Sequence, residues 1–312
     1  MKLIKPSFEI WEQKPALEGV YKQIERAGRV CYKSEDKITK NSAKEFVDRM
    51  IASGHGAMLE HGTVYLMTKT KLVNYYIHPE DGECEEYNPL EKYYQNKYSY
   101  INDDDTNLYV TTNLRVLIEN GWLDDLQYIC EPTEHHEKRV TVKFTCDRGV
   151  SHEFVRHRVF SFAQESTRYC NYSKDKFGNE CTFIIPNWSE ISEGVYECFE
   201  DSPDTYDFRA RNIDNTNILY CKENVGDASI YWLKAMDNAQ EIYFELLDKG
   251  WKPQQARAVL PNALKTELVM TGFVSDWEHF FELRDSKSAH PQAYELAHPL
   301  HEEFIMLGYI KQ

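Results

Sequence analysis

The stretch from Glu153 to Tyr169 reads E-F-V-R-H-R-V-F-S-F-A-Q-E-S-T-R-Y, and it gathers residues whose types suit one kind of ligand. Arg156, His157 and Arg158 are followed by Gln164, Ser166 and Arg168. A guanidinium is planar, permanently charged and forked, which matches phosphate oxygens. Gln and Ser add neutral donors and acceptors that can read the edge of a base or ribose. The combination points to a small anionic ligand with a hydrogen-bonding edge, a nucleotide. Arg257, in the apolar run A-R-A-V-L-P, is a further candidate, because a cation among apolar neighbours needs an anion.

Other chemistries fit less well. His152, Glu153 and His157 suggest a metallohydrolase, but H-E-x-x-H places its histidines four apart on one helix face, and these are five apart. No metal is expected there, and Glu134-His135-His136-Glu137 is read as a solvent-exposed loop with no third ligand. The eight cysteines include no C-x-x-C pair and are expected to be thiols; Cys170 has no base at a recognisable spacing and is read as packing. No G-x-G-x-x-G occurs, so a Rossmann site for FAD or NADPH is not supported. A formal net charge of −15 argues against a nucleic-acid binder, which would present a basic stripe, while leaving room for a local cationic pocket. No apolar run nears the roughly 20 residues that span a bilayer, and the first residues lack a signal-peptide stretch. A cytoplasmic protein without membrane contact is expected.

Apolar spacing predicts helices over residues 16–28, 42–53, 112–120, 229–249, 252–271 and 275–284, and another starting near Val150 that carries the cationic segment into Arg168. Residues 61–68 and 139–145 are rich in β-branched and aromatic types and read as strands. Strands and helices without a βαβ rhythm give an α+β class. No Pro/Gly/Ser linker divides the chain, so residues 1–312 are read as a single domain, with the acidic stretch Ser189 to Asp207 as a solvated surface excursion.

R-H-R, seven residues, Ser166, then Arg168 and Tyr169 resembles the signature of the flavin-dependent thymidylate synthases. Four more blocks resemble that family in its order: Ala27-Gly28-Arg29-Val30-Cys31-Tyr32, the H-x4-E-H turn from His55 to Glu60-His61, Gln255 to Pro261, and Leu283-Arg284 with Ser288-Ala289-His290. The resemblance implies a mixed or antiparallel sheet flanked by long helices, with insertions near 69–138 and 189–228. It implies FAD held without a Rossmann motif, in a homotetramer whose active sites form between subunits. The implied reaction converts dUMP and methylenetetrahydrofolate to dTMP, with FAD reduced by NADPH.

That route suits the residues present. C5 of a uracil is weakly nucleophilic until C6 is attacked or N3 loses its proton, and none of the eight cysteines lies in the Pro-Cys-His setting of the flavin-independent enzyme. By resemblance, His55, Arg156, His157 and Arg158 face the flavin, joined by Gln164 and His279. Ser166, Arg168 and Arg257 take the nucleotide phosphate, and Glu153 and Gln164 its base. Arg284 lies against the pyrimidine as the catalytic cation. Departures from the family are Glu153 in place of Gln, Ala163-Gln164 in place of Asn-Glu, and Phe273, Ser275 and His279 where polar or cationic flavin ligands are usual; Asn113 and Arg115 of the insertion are candidate replacements. Alternatives are a UMP or dUMP C5-methylase or hydroxymethylase, or a non-catalytic nucleotide-binding interaction protein.

Overall fold

The computed structural model describes residues 1–70, 74–77, 84–202, 205–215, 218–221 and 228–311. Its centre is a four-stranded antiparallel sheet in the order β2 (Ser7–Trp11), β8 (Arg139–Asp147), β14 (Lys265–Phe273), β9 (Ser161–Gln164). A mixed five-stranded sheet runs β10 (Thr182–Ile184), β1 (Lys2–Ile4), β11 (Gly194–Ser202), β12 (Thr205–Asn212), β13 (Ile218–Cys221). A three-stranded sheet runs β3 (Thr63–Lys69), β7 (Asn107–Asn113), β6 (Tyr100–Asp103), and β4 (Asn74–Ile77) pairs with β5 (Cys84–Tyr87). The helices are α1 (Ala16–Tyr32), α2 (Ser42–Ala52), α3 (Gly56–Leu59), α4 (Leu114–Glu119), α5 (Arg148–Phe154), α6 (Ala228–Asp248), α7 (Pro253–Ala256), α8 (Val274–Arg284) and α9 (Pro291–Met306). The expected α+β class holds.

Strand alternation sorts the central sheet's side chains onto two faces. Val140, Val142 and Phe144 of β8 and Leu268 and Met270 of β14 pack with Trp277, Phe280 and Phe281 of α8 and with Leu296, Leu300 and Phe304 of α9. Trp277 is wholly buried and its indole Nε1 donates to the Val140 carbonyl at 3.2 Å, so the ring is both packed and polar-satisfied. The opposite face, with Trp11, Ala163 and Val269, packs on Ala27 and Val30 of α1. The sheet is therefore held between α1 and the α8–α9 pair. Fully burying each of these large apolar side chains contributes roughly 1.5–3 kcal/mol.

One expected helix is largely replaced by strand, and another forms but stops early. Residues 252–271 hold α7, a short 3-10 turn at Arg257–Val259 and the whole of β14 up to Thr271. Leu268, Val269 and Met270 are consecutive and all fully buried, because β14 is the central strand with helices on both faces. Such a run does not distinguish strand from buried helix by periodicity. The cationic segment likewise leaves helix at Phe154 and enters β9. The helix expected over 112–120 begins at Leu114, after Asn113 accepts from the Val116 amide at 3.2 Å as its cap, and ends before Gly121, whose φ of +70° suits a glycine.

Of the two expected insertions, the described parts carry regular structure. The first supplies β7, which pairs along the full length of β3. The second supplies β11 and β12, with Tyr196 and Ala210 buried in the core shared with α6, so the acidic stretch is only partly a solvated excursion. Residues 203–204 and part of 216–227 within it, and 71–73 and 78–83 of the first, lie outside the described residues.

One buried ionic cluster ties these layers together behind the cationic segment. Lys265 Nζ lies 2.8 Å from Glu165 Oε2 and 3.3 Å from Glu267 Oε1, and Lys33 Nζ bonds Glu267 and lies 4.0 Å from Glu165. Lys33 caps α1 in the left-handed region, φ 46° and ψ 56°, with the Ser34 amide donating to the Arg29 carbonyl at 3.1 Å. A side-chain-bearing residue there is strained, so its ion pairs help hold the turn. The neighbouring lysines hold the Glu267 carboxyl down at about 2 against the opposing effect of burial. Because its folded-state value is depressed, its stabilisation is complete above its ordinary 4.5 and is lost as pH falls towards 2. Glu165→Gln leaves two buried ammonium groups sharing one buried carboxylate. We expect a loss of about 3 kcal/mol in urea unfolding, the lower part of the range for a broken buried pair; a loss below about 1 kcal/mol would mean that water screens the cluster.

Candidate functional site

Helix α5 positions the first half of the site. Asp147 caps it, accepting from the Val150 amide at 2.6 Å, and the helix ends within two turns. The chain then closes on itself, with the His157 amide donating to the Phe154 carbonyl at 3.1 Å and the Phe160 amide to the His157 carbonyl at 3.2 Å. This turn separates three consecutive residues: His157 points inward and is 8% exposed, whereas Arg156 and Arg158 are exposed.

Inward-facing His157 meets Arg284, brought by the last turn of α8. Arg284 Nε donates to His157 Nε2 at 3.0 Å, Nη1 donates to a Glu153 carboxylate oxygen, and Nη2 donates to the Glu153 carbonyl at 2.9 Å. Burial, and next the Arg284 charge, push His157 down to about 4. The ring is therefore neutral at physiological pH, and a neutral ring accepting at Nε2 carries its proton on Nδ1. Three of the five guanidinium N–H groups thus meet protein acceptors among the described residues. His279 lies one turn back on α8 with its ring 6.4 Å from that of His157, and its Nδ1 is 3.1 Å from Glu282.

Strand β9 carries the chain to the second half. Gln164 turns toward α5, donating to Ser151 Oγ at 2.8 Å and Thr266 Oγ1 at 3.2 Å, while Glu165 enters the ionic cluster on the α1 side. Glu153 and Gln164 thus have different partners, an arginine and two hydroxyls. Beyond Glu165, the Ser166 amide donates to the Cys31 carbonyl at 3.1 Å, and the Tyr169 ring lies 5.2 Å from that of Tyr32. The end of α1 therefore supports the loop. Arg257 Nη1 donates to Thr167 Oγ1 at 2.9 Å, which brings Arg257 beside Ser166 and Arg168. Arg168 is exposed. The structure brings Glu153, His157 and Arg284 together, and Arg257 meets the Ser166–Arg168 loop at Thr167; β9, with Gln164, connects the two places along the chain.

Arg158 lines a pocket of about 500 Å³ on the other side of the turn. Its apolar floor includes Val159, Phe160 and Phe273, and its walls include Arg139 and Arg115. Gly272 is required at the floor, since a Cβ there would come within 2.5 Å of the Phe160 ring. Arg139 donates to the Glu60 carbonyl at 3.0 Å and to Ser161 Oγ at 3.3 Å, and among the described residues its buried Nε meets no acceptor. Burial pushes this guanidinium down to about 10, so it stays cationic at neutral pH. The H-x4-E-H turn lies alongside: Glu60 pairs with Arg115, His61 Nδ1 is 2.8 Å from Thr271 Oγ1, and His55 is exposed before α3. The lining combines apolar and aromatic side chains with four cations, Lys97, Arg115, Arg139 and Arg158, and three acids, Glu60, Glu119 and Asp276, two of which pair with Arg115.

Sequence reasoning missed Glu165 and Arg139, because an acid inside a basic motif and an arginine opening a strand have no distinguishing spacing. The Glu134–Glu137 stretch is also corrected. His136 is buried, accepting at Nδ1 from the Thr133 amide at 3.1 Å, with Nε2 3.1 Å from the Leu66 carbonyl, and His135 stacks on Tyr109. Both His136 nitrogens face protein groups because a pre-strand loop here is covered by β3 and β7. Burial pushes the thiols of Cys31 and Cys130 up to about 11 and that of Cys181 up to about 12, so these cysteines stay protonated and un-nucleophilic at neutral pH.

Residues 130–306 match the family described as thymidylate synthase complementing protein. Among curated relatives, the chain is 27% identical over 158 residues to a flavin-dependent thymidylate synthase of Pyrococcus furiosus, covering 51% of this chain and 50% of that one. It is 31% identical over 150 residues to one of Corynebacterium glutamicum, covering 48% and 50%. The match spans about half the length of these relatives. A solved UMP/dUMP methylase, PolB from Streptomyces cacaoi bound with 5-Br dUMP, aligns over 98% of this chain and 93% of its own at 17% identity and a TM-score of 0.40. The family match takes in Glu153, the R-H-R turn, Ser166, Arg168, Arg257 and Arg284 and covers more than half of the chain, so the protein belongs to the thymidylate synthase complementing protein family, that of the flavin-dependent thymidylate synthases.

Proposed function

We propose that this protein is a flavin-dependent thymidylate synthase that methylates C5 of dUMP to give dTMP, with methylenetetrahydrofolate as one-carbon donor and NADPH as reductant of FAD. The observation that carries the reading is the Arg284 guanidinium, oriented by Glu153 and neutral His157. A fixed fork of this kind stabilises a uracil that has lost its N3 proton or is polarised at its carbonyls, which makes C5 nucleophilic without a cysteine. When bound, the flavin supplies the reducing electrons that turn a methylene into a methyl group. The protein contributes position and charge.

In this reading Ser166, Arg168 and Arg257 bind the nucleotide phosphate, and Glu153 and Gln164 border the base. His55, Arg156, Arg158 and His279 surround the flavin; His157 acts one step behind, through Arg284. The outward Arg156 and Arg168 suit sites completed between subunits of a homotetramer. Ribose discrimination, and thus UMP as a second substrate, is tested by the same assay.

Incubation with FAD, NADPH, methylenetetrahydrofolate and either dUMP or UMP at low oxygen, followed by mass spectrometry, should give dTMP from dUMP, dependent on FAD; unchanged nucleotides with NADPH unconsumed would favour a non-catalytic nucleotide-binding protein. Arg284→Met should lower kcat by about 10²–10³-fold, the effect of removing a preorganised donor, and Arg284→Lys should recover only part because it lacks the fork. Arg257→Met should instead act mainly on KM for the nucleotide. The His157 ring has a further signature in stability. Between its ordinary 6.5 and the folded-state value of about 4, the unfolded chain binds a proton that the folded ring refuses, so stability falls as pH falls through that window. His157→Gln should flatten this slope in urea unfolding, leaving the same-signed parts from His61, which burial pushes down to about 3, and from His136, which burial also pushes down. An unchanged slope would show that His157 is already charged.

A further inference from the structure

The 500 Å³ pocket beside the R-H-R turn has a wall that the family signature does not supply. Lys97 and Tyr98, from the loop before β6, and Asn113 and Arg115, at the start of α4, all belong to the segment between β3 and β8 and all line it. On the opposite side stand Arg158 of the motif and Phe273 and Asp276 at the start of α8. Ser275 and His279, two of the C-terminal positions expected to hold flavin ligands, are not among the lining residues, and the third, Phe273, offers only an aromatic ring. That ring packs under Arg139, whose guanidinium carbon is 5.4 Å from the ring centroid, and lies 6.2 Å from the ring of Tyr100, also inserted.

The inserted wall is built to hold its groups in place. Asn113 is 5% exposed, and its Oδ1 caps α4, which fixes the position of its amide. Arg115 is clamped by Glu60 of the H-x4-E-H turn and by Glu119 at 2.7 Å, and a Cβ on Gly56 would come within 2.9 Å of its Nε. Lys97 lies 4.9 Å from the centroid of the Tyr98 ring, and Tyr98 itself is 56% exposed at the pocket mouth. Val159, 65% exposed, faces the same space from the motif side. The acids Glu60 and Glu119 are taken up by Arg115, and with Asp276 also in the lining, Lys97, Arg139 and Arg158 keep the surface cationic on balance; uncovered apolar and aromatic surface beside these cations suits a flat ring carrying an anionic tail.

We propose that this inserted segment is part of the flavin site: Lys97, Tyr98, Asn113 and Arg115 form the wall opposite Arg158 and replace the ligands that the C-terminal block lacks. The proposal rests on the flavin-dependent reading above and assigns that cofactor's binding surface to residues outside the family match.

The test is binding, read by quenching of flavin fluorescence on titrating FAD with the full-length protein, and dUMP binding by calorimetry as the control. Lys97→Gln with Tyr98→Ala changes two exposed residues, so folding should survive; Arg115→Met tests the clamped cation, and Arg158→Met serves as the motif-side reference. The expected result is at least tenfold weaker FAD binding in all three, with dUMP affinity in the Lys97/Tyr98 variant within about twofold of the parent. FAD affinity unchanged in the Lys97/Tyr98 and Arg115 variants but lost in Arg158→Met would overturn the assignment while leaving the reaction intact. A parent protein that binds dUMP but no FAD would overturn the flavin-dependent reading and this proposal with it.

Discussion

The buried ionic cluster of Lys33, Glu165, Lys265 and Glu267 is the constraint on which the rest of the molecule depends. It joins the end of α1, the end of β9 and the start of β14, and the chain leaves it directly into Ser166 and Arg168. Buried charges are costly unless each is paired, so this arrangement tolerates few alternatives in register or orientation. A one-residue slip in β9 would turn Glu165 toward α5 and Gln164 toward the lysines, leaving charges unpaired on one side and an amide facing them. The alternation of a single short strand thereby decides which side chain of the motif enters the ionic cluster and which turns toward α5.

The same economy appears on α8. Its inner face is aromatic, with Trp277, Phe280 and Phe281 packed on the central sheet, and this packing fixes where the helix ends. Arg284 lies at that end and reaches back to Glu153 and His157 on the neighbouring turn. The cation's orientation is thus a consequence of hydrophobic packing within the preceding two turns of the helix. His157 gives the arrangement its neutral acceptor only because the turn after Phe154 places the ring under cover while its two arginine neighbours stay in solvent.

The pocket lined by Arg158 takes part of its wall from the segment between β3 and β8. β7 pairs along β3, and the chain emerges from it straight into the capped start of α4, beside Glu60. Backbone pairing, not the motif, carries Asn113 and Arg115 to the pocket. The cationic balance of the pocket is then set by groups from three separate regions of the chain.

The sequence by itself determined the residue types and their order: the cationic motif, its five-block resemblance, the α+β class, and the helices with clear apolar periodicity such as α1, α2, α6 and α8. These were legible because amphipathic spacing and motif spacing are local properties. It did not determine the state of β14, since three adjacent buried apolar residues carry no period, nor the break of helix at Phe154, where nothing marks a stop. Only the tertiary structure decided that Arg284 meets Glu153 and His157, that Glu165 is structural while Gln164 is not in the cluster, and that inserted residues stand opposite Arg158. Those relations join positions tens to more than a hundred residues apart or depend on which face a short strand presents, and neither is written in local spacing.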